Sequence, residues 1–229
     1  TACILIKIES KVRFLHFFQI CFLQRECIYL LENKKILLAT SNKGKITEFK
    51  KIFNNFEIFP QGEFNIEEPV EDGLSFLENA LIKARHGSIK SGMFSVADDS
   101  GIVVPGLDFA PGIYSARYAG ENATDLDNRN KIIDELKALN KETLPAYYVC
   151  VLVGVHSKED PMPIVASGEI HGEISIHSSG EGGFGYDKIF YPHGYNFSMA
   201  TMDSEEKNRI SHRAIASKLF LEKLESIRS

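Results

Sequence analysis

The sequence KILLATSNKGK at residues 35–45 joins a strand pattern to the start of a helix. Residues 35–40 form a short apolar run that is followed by polar residues and a glycine, which is typical of a buried strand. Beyond it, Ile46, Phe49 and Ile52 recur at helical spacing. The polar segment between is therefore predicted to lie at a strand-to-helix junction, where the helix N-terminus offers unpaired N–H groups to a phosphate.

Strand and helix patterns alternate along the rest of the chain. Strands are predicted at 94–97, 147–155 and 163–176, the last as one strand or as a hairpin. Helices are predicted from Ser75, Thr124, Asp203 and Ser211, each a residue type that caps helix N-termini. The apolar faces of the first and last helices are predicted to contain Leu77, Ala80, Leu81 and Ala84, and Ile215, Leu219 and Phe220. This alternation predicts an α/β fold with a mostly buried mixed sheet.

Composition excludes some functional classes. The chain has 229 residues, 44% of them hydrophobic and 25% charged, which is typical of a globular protein. Its net charge of -5 argues against a large nucleic-acid surface, although a local cluster of cations can still bind a small anion. The four cysteines, Cys3, Cys21, Cys27 and Cys150, show neither metal-ligand spacing nor a disulfide framework, so a reducing compartment is expected.

Residues 1–34 are interpreted as an N-terminal extension of unknown role, and residues 35–229 as the functional domain. The apolar run at residues 14–23 is interrupted by His16 and Gln19 and is too short to span a bilayer. No small-residue cleavage site follows it, which argues against a signal peptide. The segment is expected to have no catalytic part. A cytoplasmic location is expected, or an organellar one if residues 1–34 are a presequence.

The junction loop is the first candidate for a ligand site, and it comprises Thr40, Ser41, Asn42, Lys43, Gly44 and Lys45. It offers an amide, a backbone that a ligand can approach closely and one or two cations, which are the groups that a triphosphate needs. It is not a Walker A motif, because Gly-x4-Gly-Lys-[Ser/Thr] is absent. On this motif alone, an ordinary polar turn is the alternative.

A second candidate is Asp98-Asp99-Ser100-Gly101, which follows a predicted strand. Adjacent residues of an extended segment point in opposite directions, so one carboxylate is expected to bind Mg²⁺ or activate water while the other braces the loop. Glu71 is a further candidate oxygen ligand, although its acidic segment is also typical of a solvated loop. Asn79 and Lys83, four residues apart, are predicted to share one helix face.

Two further segments concentrate glycines and hydrogen-bond donors. Gly182–Asp187 would let a backbone approach a ligand, and Phe184 or Tyr186 would stack on a base; a tight turn with aromatics in the core is the alternative. Residues 207–213 contain Lys207, His212 and Arg213, whose donors suit the O6 and N7 acceptors of a 6-oxo purine. A surface-exposed basic helix start is the alternative there.

These motifs occur together and in order. They are residues 39–45 with Glu48, residues 97–101, residues 111–118, residues 182–187, and Lys207-Asn208 with Ile210-Ser211-His212-Arg213. From about Lys35 to the C-terminus, the chain closely resembles the inosine triphosphate pyrophosphatase family, also called the Ham1 or RdgB family.

The resemblance implies a two-lobed α/β fold with an elongated mixed sheet, flanking helices and an active-site cleft between the lobes, and a homodimer. It also implies Mg²⁺-dependent hydrolysis of ITP, dITP and XTP to the monophosphate and pyrophosphate. Its motifs assign Glu71 and Asp99 as Mg²⁺ ligands, and Asp99 also as the general base that accepts a proton from water. They assign the loop at residues 40–45, with Lys83 and Ser100, to the triphosphate. The base and sugar would be held by Phe184, Gly185, Tyr186, Asp187, Lys207, His212 and Arg213.

Two rival functions are also considered. A related pyrophosphatase acting on modified pyrimidine nucleotides is disfavoured by the donors of Ser211, His212 and Arg213. A nucleotide-binding module without turnover is disfavoured because Lys45 and Asp99 are both present. Neither nucleic-acid binding nor a membrane association is expected.

Overall fold

A computed structural model of the protein describes residues 34–226, so the interpretation of residues 1–34 lies almost wholly outside the described residues. The strands are β1 (Lys35–Leu38), β2 (Glu57–Pro60), β3 (Ser95–Val103), β4 (Thr143–Val155), β5 (Ile164–Ser175) and β6 (Phe190–Pro192). The α-helices are α1 (Lys43–Ile52), α2 (Phe76–Ser91), α3 (Asp125–Ala138), α4 (Ser204–Ile210) and α5 (His212–Ser226).

The strands form one mixed six-stranded sheet in the order β2-β1-β3-β4-β5-β6. The β1 strand pairs in parallel with both β2 and β3, whereas the β3–β4, β4–β5 and β5–β6 pairs are antiparallel. The long β3–β4 pairing runs from Ser95 opposite Val155 to Val103 opposite Tyr147. The predicted α/β class with a mixed sheet and flanking helices is therefore confirmed.

Buried side chains gather at both ends of this long sheet. At one end, α1 and α5 pack on one face around Phe49, Phe53 and Phe220, while α2 covers the other face with Ala80 and Ala84. At the other end, a separate apolar cluster includes side chains of α3, β5 and β6. The two ends form the two expected lobes, and the cleft lies where loops from both meet.

The helix starts predicted from Ser75, Thr124, Asp203 and Ser211 are confirmed, because each side chain accepts a hydrogen bond from a backbone N–H of the helix that follows. The cap of α1 at Asn42 was not predicted. Asn42 and Ser75 accept hydrogen bonds from the backbone N–H groups of Lys45 and Glu78, and Thr124 forms a full capping box with Asp127. At α2 the box is modified, because Glu78 accepts from the N–H of Leu74. Side-chain acceptors here satisfy N–H groups that a helix leaves unpaired.

Some predicted boundaries and faces were wrong. The strand expected to end before Asp98 continues to Val103. Of the two alternatives for residues 163–176, a strand or a hairpin, the structure has the single strand Ile164–Ser175. Leu77 and Leu219, predicted on apolar helix faces, are 43% and 40% exposed. The cause is that neither side chain has a neighbouring layer to cover it, which periodicity alone does not reveal.

Two other features concern the environment of the chain. Cys150 is a buried free thiol in β4, as its apolar surroundings in the sequence predicted. Among residues 34–226, every helix is too short or too polar to cross a bilayer.

Candidate active site

A cleft of about 230 Å³ opens between the two lobes. Most of the predicted site residues line it: Thr40, Asn42, Lys45, Glu71, Lys83, Asp99, Ser100, Phe184, Gly185, Tyr186, Asp187, Lys207, His212 and Arg213. They come from six separate segments of the chain, so the fold brings together motifs that lie up to about 170 residues apart. Ser41, Lys43 and Gly44 are absent from this lining.

The junction loop enters the cleft through only part of its length. Thr40 accepts from the N–H of Asn42 at 3.3 Å, and Asn42 caps α1 by accepting from the N–H of Lys45 at 3.0 Å. These bonds place the side chain of Lys45 on the first turn of α1, directed toward the centre of the sheet. The loop therefore presents a helix N-terminus and a lysine to the cleft, an arrangement that favours an anion.

The other three loop residues serve the surrounding structure. Ser41 accepts from Nε2 of Gln61 at 2.9 Å, and its N–H donates to Glu68 at 3.0 Å. Lys43 is exposed on the outside of α1. Gly44 lies against a ring, because a Cβ added there would be 3.0 Å from two ring carbons of Phe184. Glycine at this position brings the loop close to the aromatic residue of the opposite wall.

The two adjacent aspartates point to opposite faces of β3, as strand geometry predicts. Asp98 is completely buried on the face covered by α1 and α5. There its Oδ2 lies 2.7 Å from Nζ of Lys45, 3.0 Å from the hydroxyl of Ser100 and 4.0 Å from Nε of Arg213. Burial alone would raise the pKa of Asp98, but the charges of Lys45 and Arg213 outweigh it and lower this pKa to about 2.

Asp99 faces α2 and lines the cleft. Its carboxylate accepts from the amide of Asn79 at 3.2 Å and lies 3.5 Å from Nζ of Lys83, which is also 2.9 Å from Glu71. Burial raises the pKa of Asp99, and Glu71 adds to the rise, so that together they outweigh the opposing charge of Lys83. A carboxylate with an elevated pKa is a better proton acceptor than a fully solvated one.

Cations enclose an aromatic ring at the other end of the cleft. Nζ of Lys207 lies 4.6 Å from the ring centroid of Phe184, and the guanidinium of Arg213 lies 5.3 Å from it. Both cations are held by Glu48 of α1, and Lys207 also lies 2.8 Å from Asp187. Burial raises the pKa of Glu48, but the charges of Arg213 and Lys207 outweigh it and keep the pKa low.

Both aromatic residues of the glycine-rich loop line the cleft, but Tyr186 is almost fully buried there. Phe184 is partly exposed and lies on the cleft wall. Tyr186 is buried in the second lobe, where its hydroxyl donates to the carbonyl of Ser115 at 2.7 Å. Asp187 shapes the turn by accepting from the N–H of Phe184 at 3.0 Å. Of the two aromatics, Phe184 therefore has the more exposed ring on the cleft wall.

His212 lies at the bottom of this end of the cleft. Its ring stacks on Tyr148 with centroids 4.7 Å apart and an interplanar angle of 6°. Burial and the nearby charge of Arg213 hold the pKa of His212 well below 6.5. Within residues 34–226, neither ring nitrogen has a hydrogen-bond partner. A neutral imidazole offers one donor and one acceptor, so a bound ligand would satisfy groups that are otherwise costly to bury.

A model of the Ham1 family matches residues 36–223. The chain belongs to the Ham1 family. The dITP/XTP pyrophosphatase of Acinetobacter baylyi is 48% identical over 200 residues, which cover 85% of this chain and 95% of that protein. A Ham1 protein structure from Coxiella burnetii superposes with a TM-score of 0.77 at 39% identity, covering 84% of this chain and 98% of that one. A nucleoside-triphosphatase / dITP/XTP pyrophosphatase structure from Mycobacterium abscessus gives a TM-score of 0.65 at 35% identity, with 82% and 98% covered.

Sequence reasoning missed several residues of this Ham1 cleft. Tyr148 supports His212, and its hydroxyl accepts from the N–H of Tyr186 at 3.2 Å. Asp125 accepts from the N–H of Gly185 at 2.6 Å while Arg129 donates to the carbonyl of Gly185 at 2.6 Å. Helix α3 therefore holds the glycine-rich loop through both backbone groups of Gly185, the N–H and the carbonyl. Tyr148 resembles a core strand residue and Asp125 a helix-start acid, so neither carries a distinctive signal.

The carboxylates of the Ham1 cleft suit one class of cation. Within residues 34–226, no group of three or more His, Cys, Asp and Glu side chains converges as an all-protein metal cage requires. Glu71 and Asp99 instead face the cleft on either side of Lys83. Mg²⁺ is commonly bound through one or two carboxylates, while substrate phosphates and water complete its coordination. The two residues therefore fit Mg²⁺ better than they fit Zn²⁺, which prefers nitrogen and sulfur ligands.

Proposed function

We propose that the protein hydrolyses the non-standard purine nucleoside triphosphates ITP, dITP and XTP to the monophosphate and pyrophosphate, and so clears them from the nucleotide pool. The observation that carries the proposal is the arrangement of one cleft. Asp99, Glu71 and Lys83 lie at one end, while Phe184 and His212 lie at the other. The similarity to proteins named dITP/XTP pyrophosphatase supports the same conclusion.

The acidic end supplies the reaction chemistry. A water oxygen bonds to the α-phosphorus, its proton passes to the carboxylate of Asp99, and the bond to the β-phosphate oxygen breaks with release of pyrophosphate. Lys45 and Lys83 line the cleft, and their charges would stabilise the negative charge that develops on the phosphates. Glu71 and Asp99 would hold Mg²⁺, which when bound supplies charge neutralisation at the phosphates. Ser100 and Thr40 complete the polar wall of this end.

The cationic end supplies the choice of base. Lys207 and Arg213 carry only donors, which match the O6 and N7 acceptors of a 6-oxo purine. Adenine would turn its 6-amino donor toward these donors and leave groups on both sides unpaired, a penalty of about 1–3 kcal/mol. Selection against GTP must lie around the 2-amino group, because guanine has the same O6 and N7 acceptors.

Assembly and location form the remaining parts of the proposal. We propose a homodimer, as the family resemblance implies. Val70 and Leu74, which flank Glu71, are 80% and 86% exposed and offer apolar surface that a second copy could cover. We also propose a cytoplasmic location, in keeping with the absence of disulfide spacing among the cysteines. Light scattering after size exclusion measures the first, and imaging of a tagged protein in its own cell measures the second.

A substrate panel tests the proposed reaction. The protein is incubated with MgCl₂ and each of ITP, XTP, GTP, ATP and dUTP, and the released phosphate species are identified. We expect pyrophosphate from ITP and XTP, with much slower turnover of the other three. Release of orthophosphate, or equal turnover of GTP and ITP, would contradict the proposal. Preferential turnover of dUTP would favour a pyrimidine-specific pyrophosphatase.

A further inference from the structure

Asn79 is a buried polar residue of α2 that does not line the cleft. Its side chain is fully excluded from solvent, yet both ends of its amide are hydrogen bonded. Nδ2 donates to Oδ2 of Asp99 at 3.2 Å, and Oδ1 accepts from the backbone N–H of Gly73 at 2.9 Å. One uncharged side chain thus connects the carboxylate on β3 with the loop that carries Glu71.

The loop approaches this amide unusually closely. A Cβ added to Gly73 would lie 2.6 Å from Oδ1 of Asn79 and 2.7 Å from Cβ of Glu78, so a side chain at this position would collide with the helix. The next residue, Leu74, donates its N–H to Glu78 at 2.9 Å. The backbone N–H groups of Gly73 and Leu74 are therefore both hydrogen bonded to side chains of α2. These bonds restrain the loop just after Glu71 and so fix where its carboxylate enters the cleft.

Asn79 also completes a set of donors that fixes the rotation of Asp99. Oδ1 of Asp99 accepts from the N–H of Ser100 at 3.1 Å and faces Lys83 at 3.5 Å, while Oδ2 accepts from Asn79. With a donor on each oxygen, the carboxylate has one preferred orientation. The amide supplies its share of this restraint without adding charge, so it lowers the basicity of Asp99 less than a second lysine would.

We propose that Asn79 is a positioning residue, which holds the Asp99 carboxylate and the loop bearing Glu71 in the relative arrangement that turnover requires. The inference rests on the proposed function, because it assigns Asp99 and Glu71 to the reaction. The two hydrogen bonds of Asn79 together form a tether between Asp99 and the loop that carries Glu71. Small displacements of reacting groups lower rates by large factors, so loss of this tether reduces turnover although Asn79 does not contact the substrate.

Two substitutions separate the ends of the tether. Asn79→Ala removes both hydrogen bonds, whereas Asn79→Asp retains an acceptor for the Gly73 N–H and replaces the donor to Asp99. Ser88→Ala is the matched control. Ser88 is buried on the same helix, donates to the carbonyl of His156 at 3.1 Å and is absent from the cleft lining. This control removes one buried hydrogen bond from α2 without touching the proposed tether.

Three measurements are made on wild type and all variants. They are kcat and KM for ITP at saturating MgCl₂, Mg²⁺ binding by isothermal titration calorimetry without nucleotide, and the thermal unfolding midpoint. Both Asn79 variants are expected to lose roughly 10- to 100-fold in kcat, the usual effect of removing a residue that orients a ligand or base. KM should change by less than about threefold, because the groups that contact the base and phosphates remain. Asn79→Ala should also bind Mg²⁺ more weakly than Ser88→Ala does.

Specific outcomes overturn the inference. Wild-type kcat in Asn79→Asp, or a loss of kcat in Asn79→Ala that Ser88→Ala matches, shows that Asn79 is an ordinary buried hydrogen-bonding residue. If Asn79→Ala does not fold, Asn79→Ser replaces it in every comparison, because serine is too short to connect Asp99 with Gly73 and adds no charge beside Asp99. If wild type releases no pyrophosphate from ITP, the proposed function has failed. Mg²⁺ binding then tests the tether separately, and equal affinities of Asn79→Ala and Ser88→Ala overturn it.

Discussion

Replacing His212 by phenylalanine tests the electrostatics of the cationic end of the cleft. The imidazole is buried, stacks on Tyr148 and is kept neutral by burial and by the charge of Arg213, so its pKa lies well below 6.5. Phenylalanine is similar in size, can stack in the same position and does not titrate. The substitution therefore removes a proton-binding group while preserving most of the packing.

The sign of the pH effect follows from proton binding in the two states. Below pH 6.5 the unfolded chain protonates this histidine and the folded protein does not, so stability falls as the pH decreases. Each pH unit below 6.5 costs up to about 1.4 kcal/mol, and the expected loss between pH 7.0 and pH 5.5 is about 1.2 kcal/mol. Above pH 7 the contribution disappears, because the histidine is neutral in both states.

The assay is urea unfolding of wild type and His212→Phe at pH 7.0, 6.5, 6.0 and 5.5. The other titrating groups are common to both proteins and cancel in the comparison. We expect wild type to lose about 1.2 kcal/mol more than the variant over this range, with equal denaturant dependence. Parallel curves for the two proteins would refute the reasoning, since they would mean that the folded protein protonates His212 as readily as the unfolded chain.

Three further predictions concern the two adjacent aspartates of β3 and Mg²⁺. Asp99→Asn should lower kcat for ITP by roughly 10²- to 10⁴-fold, as loss of a general base does, with an unchanged circular dichroism spectrum; near-normal turnover would place the base elsewhere. Asp98→Asn removes the buried partner of Lys45 and weakens that of Arg213, so urea unfolding should show a loss of about 3 kcal/mol, and an unchanged midpoint would contradict the ion-pair interpretation. Chelation with EDTA should abolish pyrophosphate release and excess MgCl₂ should restore it; full activity in EDTA would remove Mg²⁺ from the proposal.

Features encoded by a few neighbouring residues could be predicted from the sequence. The caps at Ser75, Thr124 and Asp203 depend on side chains that bond to a backbone N–H within three residues. The opposite directions of Asp98 and Asp99 follow from strand geometry, which holds wherever a strand occurs. The shared face of Asn79 and Lys83 follows in the same way from helical spacing.

Features that depend on distant partners could not be predicted. The strand β3 was expected to end before Asp98, but it continues through this buried carboxylate, whose charge is paired with Lys45 on α1, 53 residues away. The close approach of Gly44 to Phe184 on the opposite wall was likewise not expected from the sequence. Both features depend on how distant segments pack together, and the local sequence pattern around each residue does not indicate them.

The pairing of β3 with β4 makes the length of the strand as important as its composition. Nine consecutive residues, Ser95 to Val103, are held in register, and alternate side chains serve different sides of the sheet. Deleting one residue before Asp98 within this strand would move Asp99 into the fully buried position beside Lys45 and turn its neighbour toward α2. The same side chains would remain in the strand, but each of the shifted ones would point to the opposite face of the sheet. A change in chain length within β3 is therefore more damaging than most single substitutions there, and natural variation in length among relatives should fall outside Ser95–Val103.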